Sequence, residues 1–355
     1  MEKIRFGITG SGYMGRTHAE AIKRLDAAVL VAVWGGTRAP GLAERYGAAC
    51  EATVQSLVRR TDIDAIIVTT PHHLHAAEAV AALESGKHVL VEKPMATSVE
   101  DCDRMIAAAT RRGRVLATGY QQRFRSNNVR ARQLIAANAI GAIRTVQVSM
   151  PCFEGSFKDS GFGGGNWAWW NYSESIGRTL NGAPHALDLI RSFTGAEVAT
   201  VSAFSRTFLP GQTNEDTTLA LLEFTNGTLC SLFVSDALPA PSFPGEDFRF
   251  RIMGSTGLID LDPYGELRIA DQDGWRVEAR QPVVGYDSTD SAFGDVRMRA
   301  YCDQIAAFID AIHGGPGGLG TAVDGRADVA TCLALFASSR ERRWIEIRRS
   351  PADGR

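Results

Sequence analysis

Short aliphatic and β-branched runs alternate with stretches of helical period through the first third of the chain. The apolar runs are Ile4–Thr9, Val29–Trp34, Ala65–Thr69, His88–Glu92 and Val115–Tyr120. Between them the pattern predicts helices near Met14–Leu25, Gly41–Tyr46, Thr53–Arg60, Leu74–Glu84 and Val99–Arg111. Ala65-Ile66-Ile67-Val68 and Val89-Leu90-Val91 are apolar at every position. A strand with one wet face would alternate, so these are strands covered on both sides. Strand, helix, strand, repeated with right-handed crossovers, gives a doubly wound parallel sheet.

The pattern changes after about Arg123. One helix is predicted over Asn127–Asn138, ending at Gly141. Period-two strands follow at Thr145–Met150, Thr200–Arg206, Thr217–Phe224, Thr228–Val234 and Phe248–Met253. Asn226-Gly227 between two of them is a hairpin signal. Two late helices, Arg299–Ile312 and Val323–Arg340, precede a last strand, Trp344–Arg348. His313–Gly320 carries five glycines and a proline and is predicted to be a mobile loop. The fold class is therefore α/β. A doubly wound parallel-sheet domain over 1–123 precedes an α+β domain with a mainly antiparallel sheet over 124–355.

Length agrees, since 355 residues suggest about two domains. Hydrophobic residues at 45% and charged residues at 22% exclude wholesale disorder. With 38 basic and 40 acidic side chains the net charge is −2. That balance gives no reason to expect a nucleic-acid or membrane-surface partner. No apolar run approaches the length of a membrane span. Met1-Glu2-Lys3-Ile4 leads straight into the first strand, and Arg5 interrupts any signal-peptide core. Cys50, Cys102, Cys152, Cys230, Cys302 and Cys332 are scattered, with no C-x-x-C pair. Reduced thiols in a cytoplasmic protein are expected, and no metal site.

The first strand runs into Gly10-Ser11-Gly12-Tyr13-Met14-Gly15, a G-x-G-x-x-G turn opening a helix. Gly10 permits the tight turn, Gly12 lets backbone approach a pyrophosphate, and Gly15 lets helix and strand pack closely. The helix N-terminus offers free N–H groups to the phosphates. The second strand ends in Trp34-Gly35-Gly36-Thr37-Arg38, without the carboxylate that would accept from a ribose 2′-hydroxyl. Thr37 can donate a hydrogen bond and Arg38 can pair with a 2′-phosphate, so NADP is expected over NAD. The plainer alternative is that Arg38 is a solvated loop cation.

Thr69-Thr70-Pro71-His72-His73-Leu74-His75, Gly86-Lys87-His88-Val89-Leu90-Val91-Glu92-Lys93-Pro94, Tyr120-Gln121-Gln122-Arg123-Phe124 and Asp324-Gly325-Arg326 complete a set of motifs. With the glycine turn, the chain resembles the Gfo/Idh/MocA oxidoreductases over nearly its whole length. The resemblance implies a Rossmann domain followed by an open antiparallel sheet, with the active site between them. It implies a secondary alcohol or ketone of a sugar, anhydrosugar or cyclitol as substrate, and dimers or tetramers formed through the exposed sheet face. It also implies that the lysine of Glu-Lys-Pro reaches substrate, and that the following peptide bond is often cis. Thr70, Pro71, His72, His75, Glu92, Lys93 and Gln121 would then border the cofactor. The residues themselves agree. Lys93 ends a parallel strand, where open α/β sheets bind ligands, and its ammonium can steady charge on a reacting oxygen. Glu92 orients Lys93 or contacts the nicotinamide riboside. His72, His73 and His75 crowd one turn but cannot converge on a metal.

The family's D-x-G-x-H-x-x-D helix has its counterpart in Asn181-Gly182-Ala183-Pro184-His185-Ala186-Leu187-Asp188. His185 is the expected general acid/base, because imidazole exchanges a proton near neutral pH. Asn181 replaces the first aspartate and cannot carry charge, though it can hold a hydroxyl. Asp188 either orients a neighbour or packs structurally. Gly163–Tyr172 holds three of the six tryptophans, and Asn166 and Trp167 there suit a sugar ring. Arg123 and Glu154 are further expected hydroxyl partners, and Arg178 reaches a phosphate or a substrate oxygen. Three readings follow: a dehydrogenase or reductase using Lys93 and His185; an enzyme that retains its nicotinamide through transient oxidation and elimination; and a non-catalytic nucleotide sensor. The presence of both Lys93 and His185 weighs against the sensor.

Overall fold

The computed structural model describes residues 2–153, 173–239, 248–282 and 293–347. These fall into two compact units. One comprises the described residues of 1–121 and 293–326, the other those of 122–282 and 327–347. A single cut after residue 123 would place 293–326 with the second sheet. Contacts place that segment with the first, because a late helix packs on the first helix of the chain.

Unit 1 is built on β1 (Ile4–Thr9), β2 (Ala28–Trp34), β3 (Ala49–Cys50), β4 (Ala65–Val68), β5 (His88–Glu92) and β6 (Leu116–Gly119). The strand order is 3-2-1-4-5-6, all parallel. The order reverses beside β1, the position where such sheets bind ligands. All four residues of β4 are buried. The helices are α1 (Tyr13–Lys23), α2 (Ala39–Tyr46), α3 (Val54–Arg59), α4 (His75–Glu84) and α5 (Val99–Arg112). α5 shows how local chemistry sets an element's ends. Ser98 accepts from the Asp101 N–H, Glu100 and Asp101 sit in the first turn, Arg111 and Arg112 in the last, and Gly113 closes it in the left-handed region.

The segment read as a loop over His313–Gly320 ends differently: Gly320–Thr321 pairs antiparallel with β6. A Cβ at Gly320 would stand 2.3 Å from Tyr120 Cδ2, so only glycine lets the strand approach.

Unit 2 begins with α6 (Ser126–Ala136) and β7 (Ile143–Phe153), followed by α7 (Gly177–Thr194), β8 (Val198–Arg206), β9 (Thr217–Phe224) and β10 (Leu229–Leu238). Then come β11 (Arg249–Gly254), β12 (Leu258–Leu261), β13 (Glu266–Asp271) and β14 (Gly274–Arg280). The chain returns through α8 (Asp295–Ile312) and β15 (Gly320–Thr321) of unit 1 to α9 (Ala322–Glu341) and β16 (Ile345–Glu346). The sheet order is 14-13-12-11-7-10-9-8-16, antiparallel throughout except the parallel pair β7–β10. One face carries Val146, Val148, Leu222, Leu232, Val234, Phe250 and Ile252, all buried. Its packing partner is α7, buried at nearly every position from Thr179 to Phe193. β16 is shorter than the strand expected at Trp344–Arg348, and Arg348 lies outside the described residues.

Candidate active site

The glycine turn separates packing constraints from ligand space. Gly10 has φ +91°, and a Cβ there would stand 2.7 Å from Thr69 Oγ1. A Cβ on Gly15 would stand 2.1 Å from Gly10 O. Both glycines are thus demanded by the chain itself. A Cβ on Gly12 meets only Arg38 Nη2, at 3.8 Å. The chain's packing leaves space at Gly12, which fits a group approaching from outside. α1 begins at the next residue, with no side-chain cap and no acidic residue in its first turn. The first-turn N–H groups of such a helix and its dipole favour an anion.

The neighbours of this turn divide by role. Ser11 Oγ donates to Gly35 O at 2.7 Å, so its hydroxyl braces the turn. Tyr13 packs on the Phe293 ring at 5.9 Å, and the Arg297 guanidinium lies 4.8 Å from its centroid. Met14 is half-buried on the same turn, while Thr37 and Arg38 are exposed.

At the ends of β4 and β5, Thr70 Oγ1 donates to Glu78 Oε2 at 2.8 Å. Burial pushes the Glu78 carboxyl above the usual range. Pro71 is half-buried. His72 is buried, its ring 5.7 Å from that of His75. His75 is fully buried, with both ring nitrogens on backbone carbonyls: Nδ1 2.9 Å from Pro94 O and Nε2 2.8 Å from Thr70 O. Glu92 Oε1 accepts from His18 Nε2 at 2.7 Å, and Glu92 Oε2 accepts from the Lys93 N–H at 3.2 Å. Lys93 is half-buried, and the Lys93–Pro94 bond is cis. Gln121 is 6% exposed, and its Oε1 has no hydrogen-bond partner among the described residues. A buried acceptor left open just past the end of β6 suits an amide donor from a ligand. The glycine turn, Thr70–His75, Glu92–Lys93 and Gln121 therefore gather at the carboxyl edge of one parallel sheet. Among the described residues, no group of His, Cys, Asp and Glu is placed to hold a metal ion.

In unit 2 the site residues ride on α7. Asn181 and His185 are four apart and share a face. Asn181 is buried and His185 half-buried. Asp188 is fully buried and takes the Arg123 guanidinium in a forked pair, Nε 2.9 Å from Oδ2 and Nη2 2.5 Å from Oδ1. Asp188 thus orients a neighbour, and the pair ties Arg123 to α7. Arg178 Nε lies 2.8 Å from Asp236 Oδ1. A Cβ on Gly182 would stand 2.9 Å from Arg178 Nη1, so that glycine makes room for the guanidinium.

Glu215 caps α7: its Oε1 accepts from the Thr179 N–H at 2.6 Å, and burial pushes its pKa to about 7. Gly177 has φ +63°, and a Cβ there would clash with the Glu215 carboxylate. Sequence reading missed Glu215, Asp236 and His18, whose partners are distant in the chain. The glycines at 177 and 182 were the available signal. Glu154, Asn166, Trp167 and the tryptophan-rich stretch lie outside the described residues.

Residues 4–120 match the model of an oxidoreductase family with an NAD-binding Rossmann fold, and residues 128–260 that of the GFO/IDH/MocA C-terminal domain. The chain belongs to the Gfo/Idh/MocA oxidoreductase family. Inositol 2-dehydrogenase 2 of Saccharopolyspora erythraea is 27% identical over 347 residues, 94% of this chain and 93% of that protein. The 2,7-anhydro-N-acetylneuraminate hydratase of Escherichia coli K12 is 29% identical over 276 residues, 76% of this chain and 71% of that one. A 1-carboxy-3-chloro-3,4-dihydroxycyclohexa-1,5-diene dehydrogenase of Comamonas testosteroni is 34% identical over 188 residues. That match covers 53% of this chain and only 46% of the relative's own length.

Among solved structures, GenD2 of gentamicin A biosynthesis, in complex with NAD, superposes with a TM-score of 0.81 at 26% identity, covering 98% of this chain and 97% of that one. The Gfo/Idh/MocA nucleotide domain is thus the one whose Gly12 opening, uncapped helix and open Gln121 acceptor were described above, and those features fit an NAD-type dinucleotide. Among the described residues no helix is long and apolar enough to cross a membrane.

Proposed function

We propose that the chain is a nicotinamide-dependent dehydrogenase or reductase acting on a secondary alcohol or ketone of a sugar, anhydrosugar or cyclitol. One observation carries the reading: a lysine held at the carboxyl end of a parallel strand, on the edge that also presents a pyrophosphate-shaped glycine turn. The dinucleotide would be held by the Gly10–Gly15 turn, with Gln121 accepting from its amide. When bound, it supplies the hydride acceptor or donor. Lys93 hydrogen-bonds the reacting oxygen and steadies its charge. His185 takes or returns the hydroxyl proton. Asn181 holds a substrate hydroxyl without changing its charge. The kinship to inositol dehydrogenases supports the substrate class. The test is a panel of sugars, anhydrosugars and inositols with both cofactors in both directions. Silence across the panel, with cofactor bound, overturns the reading.

Arg38 supports a preference for NADP. It is exposed, its guanidinium borders the Gly12 opening, and no carboxylate ends β2. Arg38→Ala should lower kcat/KM for NADP by about 10–100-fold, the weight of one or two hydrogen bonds to a charged group. Turnover with NAD should hold within a few-fold. A wild-type preference for NAD sinks this point.

A second reading is favoured by Asn181, which cannot relay a proton, and by similarity to a hydratase. In it the nicotinamide stays bound through oxidation, elimination and reduction. Product formation without net change in nicotinamide absorbance would mark it.

The exposed face of the second sheet supports self-association. Phe204, Leu219 and Phe233 lie in register across β8, β9 and β10. Phe204, Leu219 and Leu221 are 61%, 56% and 55% exposed. Such a patch marks an interaction surface. Phe204→Glu with Leu219→Glu should convert a dimer or tetramer to monomer in light scattering. A monomeric wild type removes the idea.

A further inference from the structure

We infer that His75 is a positioning residue for Lys93: its buried imidazole is wedged between the Thr70 and Pro94 carbonyls and holds the Lys93–Pro94 turn against the end of β4. This rests on the role given to Lys93 above. The turn leaves β5 with two backbone anchor points. At one, the Lys93 N–H donates to Glu92 Oε2, and the other oxygen of that carboxylate accepts from fully buried His18. At the other, Pro94 O faces His75 Nδ1 at 2.9 Å. The same ring continues to Thr70 O at 2.8 Å. Thr70 is tied in turn to Glu78 of α4.

The two strand ends meant to face the nicotinamide and the substrate oxygen therefore both pack on one buried side chain. Neutral imidazole has a single N–H, so only one carbonyl receives a full hydrogen bond from it. The His75 pKa is lowered: burial outweighs the two carbonyls and Glu92, and the Lys93 charge adds to the lowering, so the ring is held neutral. Either neutral tautomer hydrogen-bonds one strand end and packs against the other. Both ring nitrogens face backbone carbonyls, at 2.9 and 2.8 Å. A side chain so buried affects rate through the lysine it places. Small displacements of a positioned group are costly, about 10²-fold per ångström.

The test is a double-mutant cycle with His75→Gln and Lys93→Met. His75→Gln alone should lower kcat about 10–100-fold, while cofactor affinity, read by nicotinamide fluorescence, stays within about threefold. In the Lys93→Met background the same change should cost less than about twofold, because the group it positions is gone. A packing role would give additive losses and weaker cofactor binding. Unchanged kcat in His75→Gln, or additive losses, overturns the inference alone. Near-wild-type turnover in Lys93→Met overturns the role of Lys93 and this inference with it. Should the glutamine variant not fold, His75→Asn keeps a donor toward Pro94 and takes its place in the cycle. In the unaltered protein, NMR of labelled histidine should show a His75 ring N–H protected from solvent exchange, and a freely exchanging ring overturns that placement.

Discussion

Lys93→Met should lower kcat by about 10²–10⁴-fold, the usual weight of a positioned acid/base or charge-stabilising group. Cofactor affinity should stay within a few-fold, because the glycine turn and α1 are untouched. The asymmetry follows from position. The Gly10–Gly15 turn is fixed by contacts to Thr69 and Trp34, none of which involves residue 93. Lys93 stands on a different strand end and is held through its own N–H and the next carbonyl. Methionine matches the lysine stem in length, so packing survives while the ammonium is lost. Loss of the oxygen's charge partner raises the barrier at the chemical step, and kcat and kcat/KM should fall together. Single-turnover kinetics with saturating cofactor measures that step. Turnover within about threefold of wild type would remove Lys93 from the chemistry and return it to a surface cation at a strand end.

The parallel half of the fold was legible because its central strands, β4 and β5, are almost wholly apolar and the helices between strands carry periodicity, with side-chain caps on α3 and α5. Gly10, Gly12 and Gly15 were legible for the same reason that they differ: two answer to the chain and one to a ligand. β12, β13 and β14 were missed. β12 has only four residues, and β14 alternates Trp275, Val277 and Ala279 with Arg276, Glu278 and Arg280 on an exposed edge. β12 and β13 do bury Ile259, Leu261, Leu267 and Ile269, but such short runs carry few periods to read.

The first unit's late segment was misassigned because its reason is a packing partner hundreds of positions away, which periodicity does not encode. The ion pair of Arg123 was illegible for a similar reason. A conspicuous cation in a motif reads as a ligand until its carboxylate is found. Here the carboxylate is Asp188, 65 positions on. His75 was placed near the cofactor and is near that edge, yet its two nitrogens face inward to the chain.

Asp188→Ala should destabilise the second unit by about 3–5 kcal/mol, the cost of leaving a buried charge unpaired. Asp188 is fully buried, and the Arg123 side chain is 14% exposed. The fork uses Nε and Nη2, a geometry lysine cannot reproduce. Arg123 also receives Arg132 Nη2 on its carbonyl, so the loop carrying it is tied from behind. Removing the carboxylate strands the guanidinium in a space that water enters poorly. Removing both partners is different. Arg123→Met with Asp188→Leu deletes both desolvation costs and fills much of the same volume, so the double variant should be more stable than Asp188→Ala alone.

Denaturant midpoints measured together with activity separate the two consequences of the pair. The pair fixes α7 where His185 is carried one turn, and Asn181 two turns, before Asp188. Asp188→Asn, which keeps the shape and one acceptor, should therefore unfold earlier than wild type but later than alanine. Its kcat should fall more than its KM rises, because the imidazole is displaced while the cofactor turn is not. An alanine variant that unfolds with wild type would mean that solvent reaches the Arg123 guanidinium freely, and that α7 is held by its apolar face and the Glu215 cap alone.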